Sequence, residues 1–165
     1  MEKSLTDIIL QVCKTLNKND VQYLIVGGTA VAFHGYFRWS QNSSGLPTEK
    51  FDLDIWYNPN YDNYFKLLKA LAELGQDVQS FMEEKSPNPL KSFFKFELDK
   101  ITLDFLPKLK GSTNFNKTYL KRETAVIKNV NIPIIGIDEL LTDKAEISRP
   151  KDLTDIKHLR SIRKK

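Results

Sequence analysis

The chain has 165 residues, of which 41% are hydrophobic and 28% charged, and this balance is typical of a globular domain with a hydrophobic core. Its single cysteine, Cys13, excludes an intrachain disulfide and favours a reducing compartment. Because the first residues lack the charged-then-apolar run of a signal peptide, and no apolar stretch approaches the roughly 20 residues that cross a bilayer, we expect a cytoplasmic protein with no membrane partner.

The first half of the chain alternates between helical and strand-like patterns. In chain order the predicted elements are a helix at 3–18, a strand at Tyr23–Val26, a short helix at Thr29–Phe37, a polar loop at 40–50, a strand at Phe51–Tyr57 and a helix at Tyr61–Leu74. Gly27 and Gly28 end the first strand, and Gly75 ends the helix at Tyr61–Leu74.

The second half predicts two hairpins followed by two helices. The segments are strands at Phe93–Leu98 and Ile101–Leu106 around Asp99-Lys100, strands at Ala125–Ile127 and Val130–Ile135 around Lys128-Asn129, and helices at Ile137–Ile147 and Lys151–Arg163. Residues 107–122 give no clear prediction. Pro133 favours an edge strand, because proline cannot donate to a ladder. Together the elements predict an α+β fold: one domain over 1–165, with a small mixed β-sheet flanked by helices and a helical C-terminal part at about 137–165.

The net charge of +4 is concentrated near the end of the chain, where residues 157–165 carry five Lys or Arg side chains and no acid. Such a segment can hold phosphates or RNA. It can also be a helix C-terminus whose cations complement the helix dipole, and we favour this second interpretation.

The most informative segment is the second predicted strand, which contains Asp52 and Asp54 between apolar neighbours. Side chains alternate along a strand, so both carboxylates project from one face. Two carboxylates close to a core resist ionisation unless a cation neutralises them. A hard divalent cation meets that need, although solvent-exposed strand ends also produce this pattern often.

A third acid, Asp104, lies inside the apolar strand Ile101–Leu106. If this strand neighbours Phe51–Tyr57, three carboxylates converge. Such a cluster is typical of sites that hold divalent metal ions against a phosphate substrate. The alternative is that Asp104 faces water from one side of the sheet.

Gly27 and Gly28 form a turn between a predicted strand and a predicted helix. Glycine lets the backbone approach a ligand closely, and the amides of the helix that begins at Thr29 are available to a phosphate. An ordinary strand-to-helix turn has the same composition. The Walker and dinucleotide-binding patterns are excluded, because their other glycines and the lysine are missing.

The order of Gly27-Gly28, then Asp52-x-Asp54, then Asp104 resembles the DNA polymerase β-like nucleotidyltransferase superfamily. The stretch at 26–38 is similar to stand-alone bacterial members, including relatives of abortive-infection toxins of toxin–antitoxin systems. The resemblance implies that the two glycines contact a triphosphate. It also implies that Asp52 and Asp54 bind Mg²⁺ or Mn²⁺ and that Asp104 completes the catalytic site. We expect Asp104 to be the general base and a further metal ligand.

The C-terminal part extends the resemblance through Lys144, Arg149, Asp152 and Asp155. With Thr29, the first three of these are expected to help bind the nucleotide: Lys144 and Arg149 by neutralising phosphate, and Asp152 by orienting a cation or the substrate hydroxyl. The alternative is structural, since acids in the first turn of a helix favour its dipole and Arg149 can pair with them.

These features predict a metal-dependent nucleotidyltransferase that transfers a nucleoside monophosphate from an NTP to a hydroxyl acceptor and releases pyrophosphate. The acceptor is RNA, a protein or a small molecule. The alternative is a non-catalytic nucleotide-binding or antitoxin-like regulatory protein with the same fold. A cognate toxin or antitoxin partner would accompany a protein of a toxin–antitoxin pair.

Overall fold

The computed structural model describes residues 4–35, 51–98, 101–111, 114–147 and 149–163. Its helices are α1 (Leu5–Lys18), α2 (Gly27–Phe33), α3 (Tyr61–Glu73), α4 (Gln79–Met82), α5 (Phe115–Leu120), α6 (Ile137–Ile147) and α7 (Pro150–Arg163), with a 3₁₀ turn at Pro89–Lys91. Its strands are β1 (Tyr23–Val26), β2 (Phe51–Tyr57), β3 (Phe94–Glu97), β4 (Ile101–Leu106), β5 (Glu123–Ile127) and β6 (Val130–Ile134).

The strands form one mixed sheet in the order β3-β4-β2-β1-β6-β5. β2 is antiparallel to β1 and parallel to β4, and β1 is parallel to β6. Each outer strand, β3 or β5, pairs in antiparallel fashion with its hairpin partner. The α+β prediction with a small mixed sheet is therefore confirmed.

The core lies along the central strands, and every residue of β1 is buried. The helices fall into two groups: α1 packs against α3 and β6, while α2 contacts β2, α6 and α7. α1 buries Leu10, Val12, Cys13 and Leu16 because its apolar residues recur at helical spacing. The second group of helices carries the residues that surround the acids of β2.

The strand-to-helix turn after β1 differs from its prediction. α2 begins at Gly27 and not at Thr29, because Gly27 adopts a left-handed backbone conformation, with φ of +66°, that turns the chain directly out of β1. α2 ends at Phe33, and the chain turns at His34 and Gly35, so the predicted helix is too long at this end. Residues 36 and 37, like the predicted loop at 40–50, lie outside the described residues. α7 begins one residue early, at Pro150, since proline suits the first position of a helix.

The predicted edge position of Pro133 is wrong. Its strand, β6, lies between β1 and β5. A single residue pair, Ile25 with Ile134, joins β6 to β1, and the Ile135 amide donates to the Ile25 carbonyl at 3.1 Å. Pro133 has no N–H to extend this pairing further, so the sheet accommodates the proline by keeping this contact short.

The hairpin at Lys128-Asn129 is confirmed, with positive φ values of 48° and 66° at its two turn residues. β3 and β4 also pair as predicted, while Asp99-Lys100 lies outside the described residues. α5 forms within a segment that gave no prediction, and the side chain of Asn114 caps it by accepting from the Lys117 amide. In the described part of the chain, no helix is both long and apolar enough to cross a bilayer.

Candidate active site

The acids of β2 and β4 meet because the two strands are parallel neighbours in exact register. Asp54 pairs with Asp104, and their carboxyl groups are hydrogen-bonded to each other. Asp52 lies two residues before Asp54 and is also partly buried, while Leu53 and Ile55 are fully buried on the opposite side of the strand. The predicted neighbourhood of the three acids is therefore present, with Asp54 and Asp104 in direct contact.

Burial changes the protonation of both carboxyl groups. Burial raises the pKa of Asp54 to about 7, and the nearby charges of Asp104 and Asp52 add to the effect. Burial likewise raises the pKa of Asp104 above its ordinary value. Without a cation, the two groups are expected to share a proton near neutral pH.

The chemistry of these donors fits a hard divalent cation. A cation between Asp54 and Asp104 would take the place of the shared proton and offset the desolvation of both groups. Within the described ranges, no group of three or more acidic, histidine or cysteine side chains has the spacing of a complete metal site. Asp54 and Asp104 are thus the two acids of the predicted cluster whose side chains are in direct contact.

Gly27 lies directly against this pair. A Cβ atom at Gly27 would lie 2.5 Å from Oδ2 of Asp54, so no other residue fits there without a shift of the carboxylate. Gly28 lines a narrow space with Asp52 and Asp54. The Thr29 side chain is buried, and its hydroxyl donates to the Asp52 carbonyl at 2.9 Å. Thr29 therefore ties α2 to β2, and its hydroxyl is already used within the protein.

Lys144 is buried at the contact between α6 and α7. Its ammonium group lies 3.1 Å from Oδ1 of Asp152 and 3.0 Å from Oδ2 of Asp155. The side chain is 2% exposed, so this lysine contributes to the acids mainly through its charge, which lowers the pKa of Asp54 against the larger effect of burial. The predicted role of Lys144 in neutralising a phosphate stays a prediction.

Arg149 joins the same network from the surface. Its Nε donates to Oδ2 of Asp152 at 2.7 Å, yet half of the side chain remains exposed. Burial acts to raise the pKa of Asp152, but the hydrogen bonds from Arg149 and the charge of Lys144 outweigh it, and the pKa lies below its ordinary value. Asp152 therefore contacts both cations, and its predicted part in binding the nucleotide stays a prediction.

A cleft of about 330 Å³ opens beside Asp54. Its walls come from the end of β1, the segment after β4, and α6. The lining residues are Val26, Gly27, Asp54, Leu106, Lys108, Leu109, Lys110, Asp143, Lys144, Ile147 and Arg149.

Three polar residues of this cleft, Lys108, Lys110 and Asp143, were not among the predicted site residues. Asp143 is buried, and burial raises its pKa although it accepts a hydrogen bond from the Gly111 amide. The sequence signal that could have identified the two lysines is the position of Lys108 and Lys110 a few residues after Asp104.

Comparison with solved structures identifies the fold. The lincosamide antibiotic adenylyltransferase LnuA, bound to lincomycin, matches with a TM-score of 0.61 and 16% identity, over 98% of this chain and 99% of that one. The antibiotic-resistance factor ANT(2'')-Ia in solution matches with a TM-score of 0.55 and 17% identity, over 97% and 84%. An antigenic nucleotidyltransferase-like protein from Paracoccidioides brasiliensis matches with a TM-score of 0.54 and 15% identity, over 94% and 73%.

No protein-family model and no curated protein sequence matches the chain. At identities of 15–17%, the structural matches establish the architecture alone. Activity and substrate have to be inferred from the residues of the site. The match with LnuA extends over nearly the whole length of both chains. This protein has the nucleotidyltransferase fold.

Proposed function

We propose that the protein is a metal-dependent nucleotidyltransferase, which moves a nucleoside monophosphate from an NTP to a hydroxyl group and releases pyrophosphate. The observation that carries this proposal is the Asp54–Asp104 pair on parallel neighbouring strands, with the Gly27 turn directly against it. The nucleotidyltransferase fold of the chain supports the same reaction class.

Asp52, Asp54 and Asp104 would hold Mg²⁺ or Mn²⁺. When bound, such an ion neutralises charge on the carboxylates and on the phosphates of the nucleotide. The raised pKa of Asp54 supports this assignment, because a buried carboxylate beside two others is stabilised by a cation.

The chain's own groups supply binding and proton transfer. Gly27 and Gly28 let the phosphates approach the backbone, and the exposed half of Arg149 offers N–H donors to a phosphate oxygen. Asp104 accepts the proton of the attacking hydroxyl, and its raised pKa suits a general base. The hydroxyl oxygen then bonds to the α-phosphorus, while the bond from that phosphorus to the bridging oxygen breaks and pyrophosphate leaves.

For the acceptor, we place a small hydroxylated molecule ahead of RNA or a protein. LnuA is a lincosamide antibiotic adenylyltransferase, and its structure contains lincomycin. ANT(2'')-Ia is an antibiotic-resistance factor. Both similarities favour small-molecule acceptors as the first class to be tested.

A second candidate is a nucleotide-binding protein without turnover, for example an antitoxin-like regulator with a cognate toxin partner. It is favoured by one observation: the described residues contain no three-membered acidic group with the spacing of a complete metal site. In this case the glycine turn and Arg149 would bind the nucleotide, and the carboxyl pair would keep its shared proton.

A thermal-shift series with each NTP, with and without Mg²⁺ or Mn²⁺, tests the nucleotide site. We expect a metal-dependent rise in Tm that Asp52→Asn and Asp54→Asn abolish. Asp62→Asn is the matched control, because Asp62 is an exposed acid on α3 that pairs with Lys66. The proposal fails if no NTP shifts the Tm under any of these conditions.

Turnover separates the two candidates. The protein is incubated with each NTP labelled at the α-phosphate and with small molecules, RNA or protein from a cell lysate. Label transferred to one class identifies the acceptor, and Asp104→Asn should abolish the transfer because the general base is lost. Metal-dependent binding without transfer to any class would favour the non-catalytic candidate.

A further inference from the structure

Two lysines, Lys108 and Lys110, lie on the wall of the cleft formed by the segment after β4. Both are exposed, while Pro107 and Leu109 between β4 and Lys110 are buried. Both lysines line the cleft that Gly27 and Asp54 also line. The segment therefore brings two positive charges to the edge of the candidate active site.

The segment that carries the lysines is fixed at both ends. At one end, the Trp56 indole N–H donates to the Pro107 carbonyl at 3.1 Å. At the other, the Gly111 amide donates to Oδ1 of Asp143 at 3.3 Å, and a Cβ at Gly111 would lie 2.5 Å from the Asp143 Cα. Such close packing holds the backbone in place, so the lysines are presented to the cleft by a preorganised support.

Other cations of the cleft already have carboxylate partners. Lys144 is neutralised by Asp152 and Asp155, and Arg149 is already bound to Asp152. By contrast, among the described residues neither Lys108 nor Lys110 has a carboxylate within ion-pair distance. Lys108 and Lys110 are thus the cations of the cleft that remain available to an anionic ligand.

We propose that Lys108 and Lys110 form a phosphate subsite of this cleft. The proposal rests on the proposed function, and it names the group that the segment after β4 would recognise. Lysine binds phosphate as a compact point charge with several donors, which suits an exposed wall. The phosphate comes either from the triphosphate of the NTP or from a phosphorylated acceptor.

The test measures the binding of inorganic tripolyphosphate by calorimetry in EDTA, so that no divalent metal and no turnover is involved. The variant is Lys108→Ala/Lys110→Ala. The matched control is Lys85→Ala/Lys91→Ala, which removes the same charge at exposed positions outside the cleft. We expect the first pair of substitutions to weaken Kd about tenfold or more, the equivalent of about 1.4 kcal/mol, and the control to change it about twofold or less.

Further arms identify the source of the phosphate. If the double variant also weakens ATP binding and leaves adenosine binding unchanged, the subsite takes the triphosphate. If it weakens binding of tripolyphosphate and inorganic phosphate and leaves ATP binding unchanged, the subsite takes the phosphate of the acceptor. Lys108→Arg/Lys110→Arg should retain binding, because the charge is kept.

Equal tripolyphosphate affinity in the double variant and its control would overturn the proposal, as would the absence of tripolyphosphate binding by the unaltered protein. Asp54→Asn should bind tripolyphosphate without metal, because Lys108 and Lys110 are unchanged. A failure of the proposed function, seen as no metal-dependent nucleotide binding, is therefore distinguishable from a failure of the phosphate subsite. Circular dichroism of every variant checks that each is folded.

Discussion

Asp54 couples the candidate active site to pH. Its pKa in the folded protein is about 7, well above that of an exposed aspartate, so the metal-free folded state binds a proton that the unfolded state has already lost. The stabilising effect of this proton is complete below the unfolded pKa of about 4 and is lost as the pH rises towards 7. The contribution of Asp54 to the stability of the metal-free protein should therefore fall across this range.

Asp54→Asn tests this coupling, because asparagine remains neutral at every pH in the range. At pH 8 we therefore expect the variant to have a higher Tm than the metal-free unaltered protein. At pH 4 the two should be similar. The measurement is Tm against pH in EDTA, and parallel curves would show that Asp54 is not the titrating group.

Gly27 carries two separate constraints, a positive φ and the contact with Asp54. Gly27→Ala should reduce stability by about 1–3 kcal/mol and abolish nucleotide binding, because its methyl group would displace the carboxylate. Gly75→Ala is the control: Gly75 has a φ of +88°, but nothing lies near its would-be Cβ. Urea unfolding and ATP titration should show lost stability in both variants and lost binding only in Gly27→Ala.

At the level of elements, the contact between α6 and α7 depends on one buried lysine. Lys144→Met would leave Asp152 and Asp155 as buried carboxylates without their shared cation, at a cost of about 3–5 kcal/mol. Lys66→Met, which breaks an exposed pair with Asp62, should cost about 0.5 kcal/mol or less. Chemical denaturation compares the two, and similar losses would show that the buried network adds no stability.

The central strands and their acids could be predicted because each signal is local. β1, β2 and β4 are short apolar runs, and the alternation within β2 places Asp52 and Asp54 on one side. The meeting of Asp54 with Asp104 followed once β2 and β4 were assumed to be neighbours.

What the sequence could not reveal depends on packing between distant segments. The burial of Lys144 requires α7 to bring Asp155 against α6. The position of Lys108 depends on Trp56 and Asp143, which anchor the segment after β4. The edge position predicted for the strand of Pro133 was wrong, because an inner strand can also contain proline when a single residue pair joins it to its inner neighbour.

At the scale of the whole molecule, the sheet interleaves early and late parts of the chain. β1 lies between β2 and β6, so the strand that precedes α6 and α7 is part of the same sheet as the acids. We therefore predict one cooperative unfolding transition for the chain.

The Trp39→Phe variant keeps Trp56, which is fully buried, as the only tryptophan of the chain. Its fluorescence then reports on β2, while far-ultraviolet circular dichroism reports on the helices. Coincident urea transitions are expected. A circular-dichroism transition at lower urea than the fluorescence transition would show that the helical C-terminal part unfolds separately.

The central claim is that the acids of β2 and β4 hold a divalent metal together with a nucleotide. Electron paramagnetic resonance of free Mn²⁺, titrated with protein in the presence of ATP, measures this most directly. We expect the unaltered protein and Asp62→Asn to bind Mn²⁺ beyond what ATP alone binds, and Asp54→Asn to lose this additional binding. Equal Mn²⁺ binding by Asp54→Asn and the unaltered protein, or none by either, would contradict the claim.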